Sequence, residues 1–339
     1  QMITRVMPVD SARHEEWVVR EYDPSTPQAL LESYDEVVRE VGRGGLAQRH
    51  YVAVRWPLSP VFLAEARRRG ELQEGWRLLM RSQIDSMRRQ LEAAGLGKVR
   101  PLTAAQCLAV MRSMQVPEWP LDEAGTLAET GAWFPSTAHW PYNAVEGVGP
   151  DGEPRRWLHR TAEVRAEDIE TSDRSPLWLN GLLGRLPDRI IRTVSIQHEA
   201  VPAKIARDSA RTDVTSDMAQ ILDARVKGEI TPAEAQSRLD AARARLSVLG
   251  PGSGYQGDAW AMHVTISAPD TNLLSLATSR INEAAEQVGI SRLTWLDAYQ
   301  STAQGYTWPL VRGMGEVEVG LGAKITDRMA GTGGKEELA

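Results

Sequence analysis

Two alternating strand patterns enclosing a long helical stretch constrain this chain most. From Arg192 to Val201, Val194, Ile196, His198 and Ala200 fall on one side, and Thr193, Ser195, Gln197 and Glu199 on the other, until Pro202 closes the run. From Ala259 to Ser267 the same period returns, with Trp260, Met262, Val264 and Ile266 on one face. Between them lies helical sequence to about Val226, with Val214, Met218, Ile221 and Leu222 as its later apolar face. Thr231-Pro232-Ala233-Glu234 reads as a capping box opening a second helix, whose seam is Ala235, Leu239, Ala242, Leu246 and Leu249. The two helices are predicted to pair as an antiparallel hairpin over 203–249. A helix with Leu274, Ala277, Ile281, Ala285 and Val288 follows, then a strand over 291–298.

The first half alternates similarly in shorter pieces. Ile3–Val9 and Arg49–Trp56 read as strands. A helix opens at Thr26-Pro27 with Leu30, Tyr34, Val37 and Val41 on one face. A second spans about 73–94 with the stripe Trp76, Met80, Ile84, Met87 and Leu91. Val99–Leu102 reads as a short strand. Thr103 and Gln106 form a capping box for a third helix to about Met114, which carries Cys107 as an apolar-like residue. These patterns imply an α+β chain of two ferredoxin-like units, each with helices on a sheet and the second carrying the long hairpin. The units are expected over 1–115 and 157–312, with a connection over 116–156 and a flexible tail over 313–339.

That connection is punctuated by proline and glycine and holds Trp119, Trp133, Phe134, Trp140 and Tyr142. Packing on the protein's own body is the plain reading of these aromatics; anchoring a partner is the sharper one.

Little in the chain points to chemistry. Gly97-Lys98 and Gly334-Lys335 lack the hydroxyl residue that completes a phosphate-binding loop. There is no H-E-x-x-H, no C-x-x-C and no G-x-S-x-G. One cysteine excludes an internal disulfide framework and a cysteine-rich metal site. His198, on an apolar strand face, reads as a hydrogen-bonded core residue. His139 and His159 flank the aromatic stretch, and with Glu146 or Glu163 they offer an acid–base pair as an enzymatic alternative. No catalytic residue, cofactor or metal is expected.

Across 339 residues the net charge is -6, which argues against a surface devoted to nucleic acid. Arg67–Arg69, Arg88-Arg89 and Arg155-Arg156 are the basic runs. Arg207, Arg211, Arg238 and Arg243 on the hairpin alternate with aspartates, a mixed-sign surface suited to contacts with protein. A DNA-binding module is the second reading, favoured only if a local positive field exists.

The segment Arg192–Pro202, the following Ala206–Asp213, the charged hairpin, the Trp260–Ser267 strand and Tyr306–Leu310 together resemble a family of actinobacterial proteins. Its members are encoded in integrative and conjugative elements beside a small PrgI-like membrane protein and a separate ATPase. Their soluble part is similar to the amino-terminal, non-ATPase part of type IV secretion ATPases. The resemblance runs from the first helix to about Arg312 and implies no catalytic residues. It implies a structural component at the cytoplasmic face of the membrane. The implied partners are a secretion or conjugation ATPase, membrane channel proteins and its own copies, with no small-molecule substrate. The chain starts at Gln1 and carries no apolar run long enough to span a bilayer, so it reads as a piece whose membrane segment lies elsewhere.

Overall fold

The computed structural model describes residues 1–8, 23, 25–44, 46–56, 59–119, 121, 136–149, 152–170, 177–184, 186, 189–227 and 233–312. The strands are β1 (Met2–Pro8), β2 (Leu46–Val52), β3 (Ser136–Ala138), β4 (Asn143–Val148), β5 (Pro154–Val164), β6 (Ile191–Val201), β7 (Gly257–Ala268) and β8 (Thr294–Trp295). The longer helices are α1 (Gln28–Gly44), α2 (Pro60–Arg69), α3 (Leu72–Ala93), α4 (Ala104–Gln115), α6 (Ala203–Val226), α7 (Ala233–Val248) and α8 (Thr271–Gln287). Single turns form α5 (Asn180–Leu183) and α9 (Gln300–Ala303), the latter running into a 3-10 turn at Gln304–Thr307.

All eight strands join one antiparallel sheet in the order β2-β1-β6-β7-β5-β4-β3, with β8 on β5. The mixed α+β class therefore holds, but the two halves share a sheet instead of building one each. The join is β1 against β6, where Thr4 lies opposite Val194. Alternation in β1 specifies a strand with one face inward; it does not specify which edge that strand will meet. The 116–156 stretch is also more regular than its proline content implied. It contains β3 and β4 and runs into β5, and Asn143 lies opposite His159. Among its described prolines, Pro117 and Pro141 fall outside the strands and Pro154 is the first residue of β5.

The two sheet faces are chemically different. One is apolar: Leu158, Ala162, Val164, Val194, Met262, Val264 and Ile266 pack under α8 through Leu274, Ala277, Ile281 and Ala285. Asp270 caps α8 by accepting from the Leu273 N–H at 2.9 Å, and Gly289, at φ 74°, ends it. Each fully buried Val, Leu, Ile or Met side chain here contributes about 1.5–3 kcal/mol, so this layer is a major source of the fold's stability. Arg192 also lies on this side, buried and with no carboxylate partner among the described residues. It donates instead to the carbonyls of Leu182, Leu183 and Gly184 at the end of α5 and to that of Ile190.

The opposite face is polar and still buried. It carries Arg5, His159, Thr161, Ser195, Gln197, His263 and Thr265. α4 covers one part, with Ile3, Met7, Val110 and Met114 in contact, and the segment 300–312 straps over the rest. The Thr103–Gln106 capping box forms as the sequence implies and starts α4. Cys107 is half-buried within that helix.

Elsewhere α3 occupies the expected span. Residues 99–102 form no strand, and the 291–298 strand shrinks to Thr294–Trp295. The tail over 313–339 and the cap at 231–234 lie outside the described residues, or rest on side chains that do.

Candidate functional site

The most distinctive part of the molecule is an arm set between β6 and β7. β1 covers β6 only along Arg192–Ile196, and β5 covers β7 only along Met262–Ala268. Beyond these limits Gln197–Val201 and Gly257–Ala261 pair with each other alone, as a two-stranded ribbon. His198 and Asp258 bond across it at 2.8 Å. His198 is thus exposed and not in the core, because the core face of β6 ends with its neighbours. Gly257 permits the tight root of the arm: a Cβ there would lie 2.5 Å from the Ala206 Cβ and 3.1 Å from the Val201 Cβ.

From this ribbon α6 departs and α7 returns. The 24 residues of α6 give a rod of about 36 Å. The seam holds Val214 and Ile221 from α6 against Ala235 and Leu239 from α7, with Ala210 and Ala242 also buried. The antiparallel pairing expected from the sequence is confirmed by Arg207, whose Nε donates to the Leu249 carbonyl at 2.9 Å at the open end. Arg245 meets Asp213 further along.

The hairpin arginines have distinct roles. Arg207 closes the last turn of α7, favourable for a cation at a helix C-terminus. Arg211 lies 3.8 Å from Asp208, and Arg243 the same distance from Asp240. Arg238 is exposed. With Lys227 on Asp223 at 2.7 Å, most arm charge is matched within the arm. Met218 and Leu222, assigned to the inner face from sequence, point outward together with Val226, which is 86% exposed. Residues 218, 222 and 226 continue the four-residue row of Ala210 and Val214, which is buried in the seam at its start and exposed from Met218 onward.

The aromatic residues do not form one patch. Trp119 packs beside Val116, Val145 and Trp157, with the Arg112 guanidinium 4.1 Å from its ring centroid. Tyr142 leans on the main core, and the His139 ring lies 5.2 Å from its own. Trp140, before a cis proline, is 74% exposed. Trp133 and Phe134 lie outside the described residues.

The histidines are not brought into an acid–base pair. His159 is fully buried in the polar layer, with Nδ1 2.9 Å from the Ser267 hydroxyl and Nε2 2.8 Å from the Gln115 carbonyl. His139 is exposed, Glu146 stands opposite Arg156, and Glu163 pairs with Arg165 at 3.4 Å. Desolvation, with a smaller push from Arg5, takes His159 down to about 4. Desolvation alone does the same to His263, whose ring is 4.9 Å from that of Tyr306. Arg5 donates both to the Ser113 hydroxyl and to its carbonyl, and burial lowers it to about 10.

The rest of this layer bonds the strap to the sheet. Gln1 Nε2 donates to Ser195 Oγ and to the Tyr306 carbonyl, while its Oε1 accepts from the Val311 N–H. Gln300 bridges the backbone of Thr161, Gln304 accepts from Asn143, and Thr307 meets Thr265. These bonds tie the strap to the sheet, although Asn143 Oδ1, Gln197 Oε1 and His263 Nδ1 find no partner among the described residues, and sequence reading missed the layer because each residue type is usually exposed. No group of three metal-ligating side chains comes together among the described residues. No family model matches the chain, and no curated protein matches it.

Proposed function

We propose that this chain is a non-enzymatic structural component of a conjugative, type IV secretion-like apparatus, using its arm to dock another machine subunit. The observation that carries the reading is the surface of that arm. Its charges are largely matched internally, and an apolar row, Met218, Leu222 and Val226, faces outward. Mixed-sign pairing supports contact with protein over phosphate binding, which needs uncompensated cations. Burying an exposed apolar row is a recurrent way for a helix to engage a groove. The resemblance of Arg192–Pro202 and the hairpin to the conjugative-element family supplies the partner class, a secretion ATPase.

Light scattering tests this. The chain mixed with the ATPase encoded beside it should run as a complex. Leu222→Asp with Val226→Asp should abolish that complex while leaving the melting temperature unchanged, since both side chains are exposed. Absence of a complex, or a complex indifferent to these changes, refutes the role of the arm. The purified chain should turn over no ATP.

A further inference from the structure

We infer that α2 and α3 form an element that lies on an anionic lipid surface. Between Ser59 and Arg100 nine arginines and lysines stand against five acidic residues, a local +4 in a chain whose total is -6. Glu65 engages Arg68 and Arg69, and Asp85 approaches Arg88 at 3.9 Å. Arg67, Arg77, Arg81 and Arg89 are exposed and meet no carboxylate among the described residues.

The apolar stripe of α3 is not closed off. Trp76 and Ile84 are exposed, and Met80, Met87 and Leu91 are half-buried, although the sequence reads as a core-facing helix. α2 meets α3 along one border of the stripe at Gly75, and Leu79 on that same border is buried. A Cβ on Gly75 would lie 2.6 Å from the Gly70 carbonyl and closer still to that of Ala66 in α2, so the two helices touch there through backbone. Arg77, Arg81 and Arg88 follow Trp76, Met80 and Met87 directly in sequence and border the other side of the stripe at 100° per residue. An apolar band with tryptophan, edged by long cationic side chains along about 33 Å of helix, is the pattern of an interfacial helix. Arginine stems lie along the apolar band while the guanidinium groups reach outward to headgroups. A nucleic acid would use the charge and leave the stripe in water, so the occupant that satisfies both features is an anionic bilayer.

The test is co-sedimentation of the full chain with vesicles of phosphatidylcholine plus phosphatidylglycerol, against phosphatidylcholine alone. Binding is expected only with the anionic lipid and should fall as salt rises. Arg77→Gln with Arg81→Gln should weaken it by roughly fivefold per charge removed. Trp76→Ala with Ile84→Ala should weaken it further, and Trp76→Phe should lose part of the quenching of tryptophan emission by brominated lipid, whatever the alanine pair does to folding. Any one of four results overturns the inference: no sedimentation, equal sedimentation with neutral vesicles, binding untouched by all these variants, or a dimer or DNA complex that the same substitutions abolish. The inference does not rest on the arm, so failure here and failure of docking are read independently.

Discussion

Acidification from about pH 7.5 to about pH 5 is expected to remove about 4 kcal/mol of stability, through His159 and His263. Burial holds both rings at about 4, below the roughly 6.5 of a solvated imidazole. Between those values the unfolded chain binds protons that the folded chain refuses, so stability falls as pH falls through this window. At pH 5 the difference is about 2 kcal/mol per ring. His263 separates this from other acid effects. Its Nδ1 is buried without a hydrogen-bond partner among the described residues, and the groups facing it include the Tyr306 ring, Ser195 across β6–β7 and, across β5–β7, Glu163, which pairs with Arg165. His263→Leu therefore loses no hydrogen bond of that nitrogen and should cost no more than about 1 kcal/mol near neutrality. The assay is urea unfolding followed by tryptophan emission at both pH values. The wild type should lose about twice as much stability as His263→Leu on acidification. Equal losses in the two proteins would refute the assignment of this pH dependence to a neutral buried ring.

Other expectations follow from packing. Leu239→Ala opens a cavity in the arm seam and should cost about 2–4 kcal/mol there. Hydrogen exchange should then quicken across 203–249 while β6 and β7 within the sheet stay protected. Gly75→Ala forces a methyl group onto the backbone of Ala66 and Gly70, and should lower the melting temperature measurably, whereas Gly95→Ala, with open space around its Cβ, is opposed only by its positive φ. Thr103→Ala removes the capping box of α4 and should cost about 1 kcal/mol, read by chemical unfolding.

What the sequence conveyed was local. Alternation at Arg192–Val201, the seam from Ala235 to Leu249 and the Thr103 box each report a neighbour only a few residues away, and each reappears in the structure. Long-range facts were hidden. The pairing of β1 with β6 depends on which edge is free, and His198 leaves the core because β1 stops short of it. Gln300, Gln304 and Thr307 resemble surface residues until the strap brings them against Thr161, Asn143 and Thr265. The arm was visible as a hairpin, but its outward stripe was not, since helical periodicity finds an apolar side without saying which side faces the partner helix.

The pairing of β1 with β6 also sets an order of events on the ribosome. Thr4 is made long before Val194, the residue it must lie against, and the strap that seals their polar face is made later still. At roughly 5–20 residues per second, β1 waits on the order of ten seconds or more for β6, with β2 as its earlier partner. β1 is thus made well before the strand it must join, and it is secured late.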